Sequence, residues 1–453
     1  MHIGIISTGY HLLPSYSSLE STDGSGPPGG NRHFIRLFSV INFCTRMLSS
    51  SAAGTGEMEK SVRIKNTGLR GVTVADTKIS YIDGLKGVLI YRGYRIEDLA
   101  ESSSFEETAF LLLNGTLPDR LELELFRRDL AAWRELPAYL LEAMEKWPRG
   151  ANPMDVLQAA VPLMATADPE LHVESREANV RKAVRILARL PAVAAAWHRI
   201  RSGGPLVPPD PELSHAANFL WQLKGEKPDR ELGRALDVSM ILQAEHTFNA
   251  STFACREVVS TGAHMYAGVS AGIGALSGRL HGGANARVLE LLLGMEAEGR
   301  SGQNVAEWVR ECLDRKEKIM GMGHAVYKTF DPRAEILKGI CGNLSSMTGH
   351  EARFRLLEKI EEKSIRELEK RGKARIKANV DFYTGLLYSM MGIPMDLMTP
   401  IFAMSLATGW CAHIIEENFA EAQEKPALYR PDADYIGYYC GPTGCDYEPI
   451  EKR

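Results

Sequence analysis

A chain of 453 residues is too long for one minimal core and suits two or three domains. Its 45% hydrophobic and 24% charged residues are those of a globular protein. A net charge of -4 leaves no basic stripe of the kind a nucleic-acid surface needs. Residues 1–57 stand apart: they are rich in Ser and Gly, include Gly26-Pro27-Pro28-Gly29-Gly30, and carry no acidic residue from Gly24 to Gly56. With Arg32, Arg36 and Arg46 among apolar residues, they read either as a disordered tail or as a mitochondrial-type presequence. Over residues 62–94, the pairs Val72/Val74, Ile79/Tyr81 and Val88/Ile90 predict short strands, with turns at Asp83-Gly84 and Arg92-Gly93. From Ser104 the pattern is helix after helix. Ser104 with Glu107 makes a capping pair, and that helix should stop at Asn114-Gly115, ahead of Pro118. Residues 232–244 predict a buried central helix, and residues 303–320 predict an amphipathic one. Residues 353–371 predict a solvated helix with Glu362/Arg366 and Glu367/Arg371 pairs and an inward stripe of Leu357, Ile360, Ser364 and Leu368. Little strand signal follows residue 94, so the expected class is all-α.

The seven cysteines (Cys44, Cys255, Cys312, Cys341, Cys411, Cys440 and Cys445) are odd in number and form no Cys-x-x-Cys motif. They read as reduced, mostly buried thiols, with Cys440 and Cys445 incidental. No transmembrane span is expected: Ala263 to Gly278, read as the longest low-charge stretch, is too short to cross a bilayer and includes His264. Its Gly268, Gly272, Gly274 and Gly278 suit close helix approach better than a nucleotide loop. Gly268-Val269-Ser270-Ala271-Gly272 has the letters of a nucleophile elbow but sits inside a predicted helix.

Three histidines and an aspartate in the C-terminal half carry the chemistry. His246 opens His246-Thr247-Phe248-Asn249, and His281 opens His281-Gly282-Gly283-Ala284-Asn285. His324 closes Gly321-Met322-Gly323-His324, and Asp381 closes Asn379-Val380-Asp381. Imidazoles and a carboxylate are what a site needs to take a proton from a weak carbon acid and steady the enol. Arg333 and Arg430, each beside a proline, are candidate carboxylate clamps. Taken singly, each residue has a plainer reading: a core histidine, a helix-capping aspartate, a surface arginine. His-x-x-x-His and His-x-His are absent, so the spacing favours no metal site.

Together these motifs resemble the citrate synthase family, in its compact bacterial and archaeal branch. The similarity begins at Gly68-Leu69-Arg70-Gly71-Val72, passes through Tyr91-Arg92-Gly93-Tyr94 and the four motifs above, and ends at Tyr447-Glu448-Pro449-Ile450-Glu451-Lys452-Arg453. The resemblance implies a helical homodimer. A large domain would comprise residues 62–284 and 386–453, and a small domain, residues 285–385, would close over the substrates. It implies that acetyl-CoA condenses with oxaloacetate and water to give citrate and CoA, with no cofactor beyond the coenzyme A thioester substrate. Asp381 would be the base, His281 the donor to the thioester oxygen, and His324 the group that polarises the oxaloacetate carbonyl. His246 and Arg333 would hold oxaloacetate, with Arg430 donated across the dimer. Lys328 and Lys377 are candidates for the coenzyme A phosphates. No membrane or nucleic-acid partner is implied. The cytoplasm is the expected compartment, or the mitochondrial matrix if residues 1–57 are a presequence.

The chain departs from the family pattern at several points. Leu406, in Met404-Ser405-Leu406-Ala407-Thr408-Gly409-Trp410, stands where a carboxylate-binding arginine is expected. Removing one partner of a buried charge pair typically costs about 2–5 kcal/mol. Ala325, Arg279, Ala378 and Asp432 also differ from the usual residues. The departures leave three readings: a citrate synthase with altered oxaloacetate binding, a 2-methylcitrate synthase using propionyl-CoA, or a catalytically impaired relative kept for binding or assembly.

Overall fold

The computed structural model describes residues 64–65, 68–299 and 304–453. The tail or presequence read over residues 1–57 lies outside them. Gly68–Val72 falls in a unit apart from Thr73–Arg453, and there Leu69 (φ 60°) turns the chain so that Val72 N donates to Leu69 O at 3.0 Å.

Thr73–Arg453 is one compact unit, opened by a small antiparallel sheet of β1 (Ser80–Asp83), β2 (Val88–Tyr91) and β3 (Tyr94–Arg95). The Asp83 carboxylate accepts from Leu85 N and Lys86 N at 3.0 Å and shapes the first turn. Arg92 and Gly93, both at positive φ, form the two-residue loop that pairs Tyr91 with Tyr94. The strand expected around Val72 and Val74 is absent. Val72 is partly exposed and Val74 exposed, and among the described residues no strand pairs with them.

Sixteen helices follow among the described residues. The first eight are α1 (Ile96–Ser102), α2 (Phe105–Asn114), α3 (Arg120–Ala132), α4 (Ala138–Lys146), α5 (Pro153–Ala165), α6 (Arg176–Arg201), α7 (His215–Lys224) and α8 (Arg230–Leu242). The rest are α9 (Ala250–Val259), α10 (Met265–Ser277), α11 (Ala284–Ala297), α12 (Val305–Asp314), α13 (Pro332–Met347), α14 (Glu351–Lys370), α15 (Val380–Met390) and α16 (Met398–Asn418). The chain is therefore all-α apart from the small sheet. Ser104 accepts from Glu107 N, and Gly115 ends α2 at φ 92°, as the capping pair and the Asn-Gly stop require. α14 carries its four-residue stripe inward, and both expected ion pairs form, Arg366–Glu362 at 2.7 Å and Arg371–Glu367 at 3.1 Å. α12 ends at Asp314, short of residue 320, because Lys316 turns into the left-handed region (φ 59°) and Glu317 N donates back to Cys312 O.

α16 corrects one reading: its run from Met398 to Ile415, free of Asp, Glu, Lys and Arg, is longer than Ala263 to Gly278. Met395–Asn418 is long and apolar enough to cross a bilayer, yet 89% of an apolar 18-residue window within it is buried inside the protein, and its helix packs on α6, α9 and α10. α10 is the close-packed helix that its glycines suggested, and a helix there rules out the nucleophile elbow. A Cβ at Gly272 would stand 2.5 Å from Cys255 Sγ and 3.0 Å from the Trp410 ring. Gly272→Ala is therefore expected to cost about 1–3 kcal/mol through overpacking, seen as a lower Tm in calorimetry; an unchanged Tm would mean that α9 and α16 can shift freely.

The cysteine reading is half corrected. Cys255, Cys312, Cys341 and Cys411 are buried free thiols, but Cys440 and Cys445 form a disulfide. Gly441 (φ 104°) and Gly444 (φ 79°) fold the intervening loop, bringing the two Cα atoms to 5.0 Å.

Candidate active site

The small sheet fixes the segment that carries His246. Tyr91 OH donates to Glu245 O at 2.7 Å and faces Glu245 N at 3.2 Å. The next residue, His246, presents a ring whose Nε2 is buried and makes no hydrogen bond among the described residues. Asn249 ends the motif by capping α9, its side chain accepting from Ser251 N and Thr252 N.

His281 lies between α10 and α11, where Gly282 packs against Leu276 with no room for a side chain. Its Nε2 stands 2.8 Å from Ser251 Oγ and takes the Ser251 N–H at 3.2 Å. An accepting Nε2 leaves the ring proton on Nδ1. Trp410 Nε1 donates to Ser251 Oγ at 3.1 Å, so α16 supports the arrangement from behind.

The His324 loop is stapled to the strand-like segment before Asp381. Gly323 N donates to Lys377 O at 2.7 Å, Asn379 N to Gly321 O at 2.9 Å, and Asn379 Nδ2 to Gly323 O at 2.7 Å. Gly321, at φ 74°, leaves no space for a Cβ beside Phe382. His324 Nδ1 accepts from Val326 N (3.1 Å) and Tyr327 N (3.3 Å), which puts its proton on Nε2. Asp381 sits in the first turn of α15 behind the Asn379 cap. Its carboxylate accepts no hydrogen bond among the described residues, an unusual state for a partly buried charge.

His246, His324, Tyr327 and Arg333 converge. The ring centroids of His246 and His324 are 5.1 Å apart, those of His324 and Tyr327 4.9 Å, and those of His246 and Tyr327 5.6 Å. Arg333, 2% exposed, lies 5.8 Å from the Tyr327 ring. Two hydrogen bonds tie it to Asp331, Nε to Oδ1 at 3.0 Å and Nη2 to Oδ2 at 2.8 Å. The same aspartate caps α13 and receives Val380 N at 3.1 Å, so the arginine and the Asp381 turn share one anchor.

Burial sets the protonation states. It pulls His324 down to about 4, helped by the Arg333 guanidinium, and pulls His246 well below the usual imidazole range. It lowers His281 as well. It lifts Asp381 to about 6, with Arg333 pulling the other way, Asp331 adding to the lift and Arg287 opposing it. At neutral pH the site thus offers neutral imidazoles that donate and a carboxylate with raised basicity, a base–electrophile pairing.

Other expected residues are placed differently. Lys328 Nζ donates to Ala325 O (2.8 Å), and Lys377 pairs with Glu369 (3.0 Å). Arg430 is exposed and makes no contact with the site residues of its own chain among the described residues. Leu406 is 1% exposed within α16. Ser251, Trp410, Asp331 and Arg287 were not singled out as site residues from the sequence. The Asn249 cap could have flagged Ser251, but nothing local flags Trp410. Among the described residues no three His, Cys, Asp or Glu side chains are grouped to hold a metal ion.

Residues 68–432 match the family model described as citrate synthase, C-terminal domain. Citrate synthase of Haloferax volcanii is 42% identical over 390 residues, 85% of this chain and 98% of that protein. A 2-methylcitrate synthase of Mycobacterium tuberculosis is 40% identical over 371 residues, 82% of this chain and 90% of that protein. Citrate synthase of Thermoplasma acidophilum, solved as a ternary complex with carboxymethyl coenzyme A and oxaloacetate, superposes with a TM-score of 0.76 at 32% identity, covering 85% of this chain and 99% of that one.

Proposed function

The chain belongs to the citrate synthase family, and from that premise we infer how its residues divide the reaction. The enzyme is an acyltransferase that condenses acetyl-CoA with oxaloacetate and water to give citrate and CoA. In our reading Asp381 takes a proton from the thioester methyl group. His281 donates its Nδ1 proton to the thioester oxygen as negative charge develops there. His324 donates from Nε2 to the keto oxygen of oxaloacetate and makes that carbon electrophilic. The enol carbon attacks it, and water then hydrolyses the citryl thioester. His246 Nε2 and Arg333 hold oxaloacetate.

The observation that carries this reading is the proton placement. Backbone N–H groups occupy His281 Nε2 and His324 Nδ1, so each ring is left with one free donor nitrogen, while burial raises the Asp381 carboxylate. We further propose a homodimer in which Arg430 of the partner subunit completes the oxaloacetate clamp. The small domain, residues 285–385, then closes on the large one, residues 62–284 and 386–453, and excludes water while the enol exists. Support comes from the division of the site: His246 and His281 belong to the large domain, and His324, Arg333 and Asp381 to the small one. Lys328 and Lys377 remain our candidates for the coenzyme A phosphates, with no cofactor besides the substrates. We place the activity in the cytoplasm, or in the mitochondrial matrix if sequencing of the mature N-terminus shows residues 1–57 removed.

The test is thiol release from acetyl-CoA and from propionyl-CoA in the presence of oxaloacetate. The expected result is faster release from acetyl-CoA. A propionyl preference would support the second reading, which the relative named 2-methylcitrate synthase favours. Silence with both substrates would overturn the reading.

A further inference from the structure

Behind His246 lies a buried charged cluster that the reaction above does not use. Glu245, Arg256, His413, Glu416 and Glu417 are each 0% exposed. One arginine buried with three carboxylates is unfavourable unless the charges are paired and hydrogen-bonded. The pairing runs as a single chain of contacts. Arg256 Nη1 donates to Glu416 Oε2 at 2.8 Å and to His413 Nδ1 at 3.2 Å, and Nη2 lies 2.6 Å from Glu417 Oε2. A guanidinium can only donate, so His413 Nδ1 accepts and its proton sits on Nε2, 3.0 Å from Glu245 Oε1. Glu245 Oε1 also takes Ser80 Oγ at 2.8 Å and the backbone N–H of Thr247. At the far end Tyr429 OH donates to Glu417 Oε2 at 2.9 Å, and the next residue is Arg430.

The turn held by this chain is the one that carries His246. Thr247 stands at φ 51°, a region that a β-branched residue occupies only where its surroundings enforce it. The Phe248 ring lies 4.7 Å from the Arg256 guanidinium and edge-on to His413 at 5.3 Å. The backbone is thus gripped on both sides of His246, while the ring keeps an unpartnered Nε2 toward the site.

We propose that Glu245, His413 and Arg256 are positioning residues that aim the His246 ring at the 2-oxo acid substrate. Through Glu417 and Tyr429 they also tie that aim to the seating of the segment bearing Arg430. The proposal rests on the reading of His246 as an oxaloacetate ligand.

The experiment compares Glu245→Gln, Glu245→Asp, Ser80→Ala and Tyr429→Phe in the full-length enzyme, with rates normalised to folded protein. Glu245→Gln is expected to raise KM for oxaloacetate about tenfold or more while KM for acetyl-CoA stays within about twofold, since a hydrogen bond to a charged group is lost on one side only. Glu245→Asp should recover part of the loss, and Ser80→Ala and Tyr429→Phe should each raise the same KM about threefold. A purely structural role would lower the folded yield and leave both normalised KM values unchanged. If Glu245→Gln does not fold, the two single-hydroxyl variants decide. An unchanged oxaloacetate KM in both, or equal rises for both substrates, overturns the proposal. If the unmodified enzyme releases no CoA, the functional reading fails, and the histidine 15N spectrum judges the proposal alone. Ser80→Ala must then shift the His246 ring signals, and unmoved signals refute it.

Discussion

Replacing Asp381 with Asn is expected to lower kcat about 10²–10⁴-fold, the range lost when a positioned general base is removed. Oxaloacetate affinity should stay within about threefold, because uniform binding is not what the base supplies. The prediction rests on our reading of Asp381 as the base: its carboxylate sits in the first turn of α15, accepts no hydrogen bond among the described residues and is lifted to about 6 by burial. The same lift fixes two pH dependences. Only the ionised form accepts a proton, so kcat/KM should fall about tenfold per pH unit as pH drops below about 6. A carboxyl whose folded pKa exceeds its unfolded value opposes folding above the folded pKa, and the opposition fades as pH falls from about 6 toward the ordinary value of 3.8. The Asn variant should therefore be more stable than the unmodified enzyme at pH 7 to 8, by on the order of 2 kcal/mol. That advantage should vanish near pH 4. A pH–rate profile with its acid limb well away from 6, or an Asn variant within tenfold of full kcat, would remove Asp381 from the role of base.

Neutral histidines follow from the same physics. His324 falls to about 4, so the imidazole does not charge over the working range, and in our reading it acts as a hydrogen-bond donor rather than as a cation. Arg333 supplies the fixed positive charge, held by Asp331 in a bidentate pair. Proton placement and fixed charge thus fall to different groups, each held by local hydrogen bonds.

The motifs were legible in the sequence because each one is local. Asn379 capping α15, Asn249 capping α9 and the glycines at 321, 323 and 282 act within a few residues of the histidine or aspartate they place. The strongly periodic α14 is legible to within two residues at each end, whereas the helix expected over residues 303–320 stops six residues early. What stayed hidden depends on contacts distant along the chain. Trp410 supports His281 through Ser251 across 159 positions, and Glu245 meets His413 across 168. The Cys440–Cys445 disulfide was missed because the odd cysteine count pointed to free thiols, whereas two positive-φ glycines close that loop. The apolar run of α16 has the length and composition of a span, and only contacts distant along the chain show that it is buried in the protein.

Leu406→Arg is expected to tighten oxaloacetate binding by about one and a half to three and a half orders of magnitude, the equivalent of a buried charge pair worth about 2–5 kcal/mol. Position 406 lies one helical turn before Trp410 on α16, so the two side chains share a face, and Trp410 reaches Ser251 behind His281. Arg333, already bonded to Asp331, is the guanidinium that this chain itself brings to the His246–His324 cluster. A dicarboxylate held there needs a second cation, which in our reading arrives only as Arg430 of the partner subunit. An arginine at 406 would supply it from within the chain. The same arginine, buried without a carboxylate, would destabilise the ligand-free protein by several kcal/mol, since a desolvated unpaired charge is among the most unfavourable changes in a core. The signature is therefore paired: a lower Tm without ligand and a larger rise in Tm on adding oxaloacetate, with calorimetric titration giving the tighter Kd. A folded variant whose oxaloacetate Kd is unchanged would show that residue 406 does not face the substrate carboxylate and that the leucine is ordinary core packing.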